Sequence, residues 1–358
     1  MTAKYANIQS MIQARIEQGE LAPGDPLPSE REMAVMYGVS RITIRGALDK
    51  LEQEGYVIRR QGAGTFVEPA AARSATSDVY LVGVRHKNDA KAFLEEVGEC
   101  LSAALLKRKQ RVVLMTVPEG RSLIDYCGVH DVDFQRWHRV LFAGYIPTDS
   151  EIRLLREYGC RMVLIGRPQG KELIPYVEGD HHTGAKVMTR HFLEHGCRRI
   201  ALLAGPNSLY INPLRINGFR EAHAEAGLDC DESLIVEGVA WQRESGEAFA
   251  EMLLGQPRLP DAALIFGDWA FLGAYMKFRE HGVRIPQDLR LGMGDWFSWL
   301  ERIVDLSVAA LYEDRQSMVD LALDIMDRQD RSELVPMAHR LSVLFRPGHS
   351  CGCDSLQE

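Results

Sequence analysis

The sequence predicts an α/β protein in two unequal parts: a small winged helix-turn-helix unit, then a doubly wound region whose parallel strands are covered by helices on both faces. Three observations predict it. From residue 78 onward, short and almost wholly apolar runs alternate with amphipathic helical stretches, as strands buried on both faces require. The residues up to 68 read as three helices and a hairpin. Between the two parts, "EPAAARSATSD" (Glu68 to Asp78) is small, polar and free of aromatic residues, which reads as a linker. The expected boundaries are residues 1–68 for the first unit, 69–77 for the linker, 78–350 for the second unit and 351–358 for a tail.

In the first unit, "YANIQSMIQARIEQG" sets Ile8, Met11, Ile12 and Ile16 near helical spacing and ends at Gly19. The loop "ELAPGDPLP" follows. Ser29 with Glu32 makes a capping box that opens helix two, Gly38 closes it, and Ser40 can cap helix three. The stretch "GVSRITIRGAL" then spaces Ile42, Ile44, Ala47 and Leu48 as if for a core, with hydroxyls and guanidinium groups between them. Helix three is expected to bury Ile44, Ala47 and Leu48. Its first turn would then offer Ser40, Arg41, Thr43 and Arg45 to a DNA groove, since helix N-termini favour phosphate. Arginine also matches both acceptors on a guanine edge, at about 1–3 kcal/mol per good pair. The alternative is a solvated face, with Arg41 and Arg45 paired to Glu32 or Asp49. "GYVIRRQGAGTFV" closes the unit as a hairpin around "QGAG".

In the second unit the strand-like runs are "VYLVGV", "RVVLMTV", "RVLFAGY", "RMVLIG", "RIALLAG", "AALIFG" and "LRLGMG". Helical stretches such as "AFLEEVGECLSAALLKR", "GAKVMTRHFLEHG" and "FLGAYMKFREHG" separate them.

Length and composition bound what such a chain can do. At 358 residues, 46% of them hydrophobic and 26% charged, the chain exceeds one ordinary core and reads as globular. With 42 Lys and Arg against 50 Asp and Glu, the formal charge is −8, so any polyanion site must be a local basic patch. Seven cysteines, an odd number, and a polar helical start predict reduced thiols in a cytoplasm. No apolar run approaches the length of a membrane span.

The stretch "LAPGDPLPSEREMAVMYGVSRITIRGALDKLEQEGYVIRRQGAGTFV" resembles the DNA-binding domain of GntR-type bacterial repressors over residues 4–68. The resemblance implies that Arg31, Ser40, Arg41, Thr43 and Arg45 meet DNA backbone or base edges. It also implies that Gln61 and Gly62 enter the minor groove and that Lys4 lies near phosphate. Gly46 departs from the family, which usually has an acid after the arginine.

The segment "VEGDHHTGAKVMTRHFLEHGCRRIALLAGPNS…RINGFREAHAEAGL", continued in "AALIFGDWAFLGAYMKFREHGVRIPQDLRLGMGDW", resembles the two-lobed, periplasmic-binding-protein-like sugar sensor of lactose-repressor-type regulators. Joining it to a GntR-type head resembles the arrangement of arabinose-responsive repressors. The resemblance implies a ligand between the lobes, with Arg215 as the ligand-binding arginine and Trp241 as a stacking aromatic. Asp268 occupies the acid of the usual asparagine–aspartate pair, whose asparagine is here Gly267. Asp295 stands one position beyond the usual ligand-binding acid, and Phe93 lines the opposite lobe. The alternatives are an interlobe salt bridge for Arg215, a lobe-edge aromatic for Trp241 and a helix cap for Asp268.

Catalytic and metal motifs are weak. "HFLEH", His191 to His195, has the form of some zinc-peptidase helices, but it lies inside the helix "RHFLEHGCRRI", which accounts for its spacing. "GRPQGKE" fails as a phosphate loop, "GMGDWF" is a fragment of a dinucleotide motif, and "YCGVH" and "HSCGCD" are single, unsupported pairs. No catalytic residue, metal or cofactor is therefore expected, and the chain is read as a non-enzyme. The expectation is a cytoplasmic, homodimeric repressor that binds double-stranded operator DNA, does not engage a membrane and answers to a sugar-like effector. A carbohydrate-binding protein and a transcription activator are the alternatives.

Overall fold

In the computed structural model, the described residues are 2–53, 55–60, 64–68, 78–85, 91–130, 132, 134, 137–297 and 299–353. The expected linker 69–77 and the wing residues Gln61 and Gly62 lie outside them. The chain divides into two compact units, Met1–Val79 with Leu105–Arg111, and Tyr80–Ala104 with Val112–Glu358.

The first unit holds α1 (Thr2–Glu17), α2 (Glu30–Met36) and α3 (Arg41–Gln53), then an antiparallel pair, β1 (Val57–Arg60) and β2 (Gly64–Val67). The capping box forms: Ser29 Oγ accepts from the Glu32 N–H, and the Glu32 carboxylate accepts from the Ser29 N–H at 2.8 Å. Gly38 ends the helix in the left-handed region at φ 63, where a side chain is strained. Ile8, Ile12, Ile16, Met33, Ile44, Ala47, Leu48, Leu51, Val57 and Val67 make one core. Ile42 is not part of it and is 84% exposed. It sits two positions before Ile44, about 200° around the helix, so the two isoleucines cannot share a face. A Cβ at Gly46 would meet nothing within 4 Å, and nothing in the structure explains the glycine there.

The second unit is built on two six-stranded sheets. The chain first lays down β3 (Val79–Arg85), α4 (Lys91–Lys107), β4 (Val112–Pro118), α5 (Leu123–Val129), β5 (Arg139–Ala143), α6 (Asp149–Glu157), β6 (Arg161–Ile165) and β7 (Tyr176–Gly179). It then crosses to a second lobe of α7 (His181–Glu194), β8 (Ile200–Gly205), α8 (Ile211–Glu225), β9 (Ile235–Glu237), α9 (Arg243–Leu254), β10 (Ala262–Ile265), α10 (Asp268–Glu280), β11 (Arg290–Met293) and β12 (Ala309–Tyr312). It returns through α11 (Arg315–Asp330) and β13 (Ala338–Leu341), and crosses again into β14 (Leu344–Arg346). The strand orders are β13-β7-β6-β5-β3-β4 and β14-β12-β11-β10-β8-β9. The pairs β13–β7, β7–β6 and β6–β5 of the first sheet and β12–β11, β11–β10, β10–β8 and β8–β9 of the second are parallel, and β14 adds an antiparallel edge to the second sheet.

The chain thus passes between the lobes three times, after β7, β12 and β13. The crossings converge. A Cβ on Gly179 would overlap the Glu313 carboxylate and come within 3.1 Å of Val343, so residues from all three connections are in contact. Asp180 caps α7 and Asp314 caps α11, which fixes where each helix starts beyond its crossing. Arg139 (β5) and Arg161 (β6) hold α11 on the first sheet through Asp327 and Asp330.

All seven apolar runs singled out in the sequence are strands. The expected tail requires a correction. His349–Cys351 forms a short 3-10 turn with Ser350 and Cys351 buried, and the Ser350 hydroxyl bonds to both Leu291 O (2.7 Å) and Ala309 N (2.8 Å). Residues 354–358 lie outside the described residues. No described helix is long and apolar enough to cross a membrane.

Candidate functional site

In the first unit the start of α3 forms the exposed face expected of it. Ser40 Oγ accepts from the Thr43 N–H at 3.2 Å and lies 2.8 Å from Thr43 Oγ1, so the two hydroxyls cap the helix together. Arg31 is exposed. Arg41 and Arg45 are 64% and 60% exposed, yet both lean on Glu30, at 3.8 Å and 2.9 Å. Arg45 grips it with two donors, and that grip holds the Glu30 carboxyl below its ordinary range. The partner is therefore neither Glu32, which is engaged in the cap, nor Asp49, which takes Arg59. Pairs this open to water exchange readily. Ile42 stands exposed among these cations, an apolar contact that reading it as core had missed. The side chain of Lys4, with Gln61 and Gly62, falls outside the described residues.

In the second unit four of the five residues singled out for a ligand come together. Arg215, from α8, is 1% exposed and donates to both oxygens of Asp295 at 2.7 and 2.9 Å. Its guanidinium lies 3.9 Å from the Phe266 ring centroid and 5.2 Å from that of Trp241. Arg215 Nε, Arg215 Nη1 and Trp241 Nε1 are buried without a hydrogen-bond partner among the described residues. Arg215 and Asp295 belong to one lobe, so their bridge is not interlobe. Trp241 lies across the backbone of β8 and β10: a Cβ at Gly205 would overlap its ring, and one at Gly267 would come within 2.6 Å of it. Gly267, at φ 91, also holds the cap position of α10. An asparagine in place of Gly267 would put its side chain into the space of Trp241.

Asp268 is the first residue of α10 rather than its cap. Its carboxylate accepts from the Trp269 N–H at 2.8 Å and the Trp299 indole at 3.2 Å. Burial pushes it up to about 6, against those two donors, with Asp295 nearby adding to the rise. Phe93, from α4, carries the Arg315 guanidinium 4.7 Å above its ring.

Sequence reading missed the charged groups that surround this set. Glu313, largely buried at the second crossing, pairs with Arg315 and lies 3.7 Å from His181. Its burial opposes ionisation, but Arg315, His181 and Arg215 together hold the carboxyl below the usual range. Burial pushes His181 down, and the Glu313 carboxylate beside it opposes that shift. Glu178 on β7 binds Arg167 at 2.6 Å and Arg340 at 3.2 Å. Arg167 in turn lies 4.9 Å from the Tyr210 ring at the head of α8. A carboxylate inside the short run "YVEG", or an arginine straight after "YED", was the available signal. Each buried arginine in the cleft thus has its own carboxylate.

Matches to known proteins agree with both halves. The family model "Bacterial regulatory proteins, gntR family" matches residues 4–67. The chain belongs to the GntR family of bacterial regulatory proteins. Within this GntR-family regulator, residues 189–351 match a "Periplasmic binding protein-like domain". The regulator is 26% identical over 355 residues to the arabinose metabolism transcriptional repressor of Halalkalibacterium halodurans, covering 93% of this chain and 92% of that one. It is 31% identical over 187 residues to the histidine utilization repressor of Pseudomonas aeruginosa, covering 49% of this chain and 68% of that one. Among solved structures, the complex of the transcriptional regulator CelR with cellobiose superimposes with a TM-score of 0.65 at 25% identity, covering 90% of this chain and all of that one.

Proposed function

We propose that this GntR-family regulator is a cytoplasmic, homodimeric repressor that binds operator DNA through α3 and is released by a neutral sugar held between the lobes of its second unit. It works by binding alone. Two copies would present two α3 helices about one DNA turn, roughly 34–36 Å, apart on a near-palindromic site. Arg41, Arg45, Ser40 and Thr43 supply phosphate and base-edge donors, with Arg31 on the backbone and Ile42 against a thymine methyl.

The observation that carries the effector reading is the trio of buried, unsatisfied donors on Arg215 and Trp241. Buried donors are normally paired, and hydroxyl oxygens would pair these. Because each arginine in the cleft already faces a carboxylate, a charged effector would leave an uncompensated buried charge. A neutral polyol would not. Trp241 supplies the apolar face that a sugar ring stacks on. Relatives at this similarity include an arabinose repressor and a cellobiose-bound regulator, which makes a pentose or a disaccharide the first effector to try. The test is a DNA mobility shift with the full chain, titrated with arabinose, cellobiose and a wider sugar panel. A sugar that releases operator but leaves random DNA binding unchanged is the expected result. Operator binding that no sugar alters, with no sugar raising the melting temperature, would remove the effector reading.

The raised Asp268 sets a pH dependence. A carboxyl titrating at about 6 in the free protein is half-protonated there, and a sugar hydroxyl donates more strongly to its ionised form. Binding therefore favours deprotonation, and effector affinity should rise with pH through about 6 and level off above it, by up to roughly tenfold per pH unit. Calorimetry between pH 5 and 8 reads this, and Asp268→Asn should flatten the profile.

A further inference from the structure

Two sequence fragments that carried no function separately, "HFLEH" and "HSCGCD", meet in the folded chain. His191 and His195 lie one turn apart at the end of α7, their rings 4.2 Å apart. Cys353 Sγ lies 3.6 Å from His191 Nε2 and 3.3 Å from His195 Nε2, and the three ligand atoms all fall within 4.8 Å of one another. We propose that His191 Nε2, His195 Nε2 and Cys353 Sγ bind one zinc-class divalent ion that ties the last described residues of the chain to α7.

The separations are those a metal needs. With Zn–N near 2.0–2.1 Å and Zn–S near 2.3 Å, a tetrahedral ion has N···S edges of about 3.5 Å, close to the two observed. The ligand chemistry is that of zinc, two imidazoles and a thiolate, and hard cations such as magnesium are poorly served by it.

The surroundings hold the ligands in a binding-competent form. His195 Nδ1 lies 2.8 Å from His191 O. Donating its proton there leaves Nε2 as the lone-pair nitrogen facing Cys353, the orientation that outer partners impose on metal-bound histidines. His191 packs against Phe345 of β14, with ring centroids 4.6 Å apart. The Cys-Gly-Cys turn is equally fixed. Gly352 takes φ 87, Arg290 donates to Cys351 O at 3.1 Å, and His349 N–H donates to Ser307 Oγ at 2.9 Å. Cys351 Sγ stands 3.2 Å from His191 Nε2 and donates to Gly348 O at 3.0 Å. Binding would release the Cys353 thiol proton and involve no electron transfer.

The test uses the full chain purified without a histidine tag. Elemental analysis should find about one zinc per chain. Cobalt substitution should give tetrahedral visible bands and a near-ultraviolet thiolate-to-cobalt band. Cys353→Ser should abolish the thiolate band and lower zinc retention at least tenfold, and His195→Ala should lower it comparably. Added zinc should raise the melting temperature of the parent protein and leave both variants unmoved. A parent protein without zinc and without the thiolate band overturns the proposal, as does a band unchanged by Cys353→Ser. The parent's cobalt spectrum decides the matter even if a variant misfolds. Operator release by sugar is read separately, so neither result stands in for the other.

Discussion

Replacing Arg215 by alanine is expected to leave operator binding intact and to cut effector affinity by roughly a hundredfold or more, since hydrogen bonds to a charged group contribute about 1.5–3 kcal/mol each and two of its donors await partners. The same change exposes the role of Asp295. With the guanidinium gone, that carboxylate, 19% exposed, loses its ion-pair partner and remains largely buried, so the variant should also melt lower. Pairing Arg215→Ala with Asp295→Ala removes the stranded charge. The double variant should regain stability without regaining effector affinity, which separates a folding defect from a lost contact. Isothermal calorimetry on the full chain measures the affinity. Undiminished binding in Arg215→Ala would mean that the effector sits elsewhere.

Arg45→Ala is expected to weaken operator binding roughly tenfold to a hundredfold and to relax preference at one base pair of each half-site. Effector binding should be unchanged. In the free protein Arg45 holds Glu30 with two donors, and it must release that carboxylate to reach DNA. Glu30→Gln should therefore strengthen binding, most visibly at low salt, because it frees Arg45 and Arg41 together and removes a charge that repels phosphate. Fluorescence anisotropy with operator and scrambled duplexes at two salt concentrations reads both effects. If Arg45→Ala weakens both duplexes equally, Arg45 grips backbone rather than a base.

What the sequence disclosed follows how local each feature is. The head was legible because its signals span a few residues: the Ser29–Glu32 box, the Gly38 stop, and the helical spacing of Ile44, Ala47 and Leu48. The long apolar strands were legible for the same reason. Strands β7, β9, β13 and β14 are short and carry charged or polar residues, as in "YVEG" and "AHRL", so no apolar run marks them, and β12 was not singled out although "AALY" is apolar. In the cleft, Arg215, Trp241, Asp268 and Asp295 could be named from motif resemblance. Their partners could not, because Glu313 meets His181 across more than a hundred positions of chain and Phe93 meets Arg315 across more than two hundred. Cys353 and His195, 158 positions apart, are the extreme case. Each half of that cluster is chemically ordinary until folding closes the distance.

The meeting of the three connections at Gly179, Glu313 and Val343 bears on how the sensor can move. Glu313 binds the arginine that begins a helix of one lobe and neighbours the histidine that begins a helix of the other. A swivel built around one shared anion can turn while its partners slide over the same two oxygens, so little needs to be unmade at the pivot. A rotation of the lobes would therefore meet little resistance at that point.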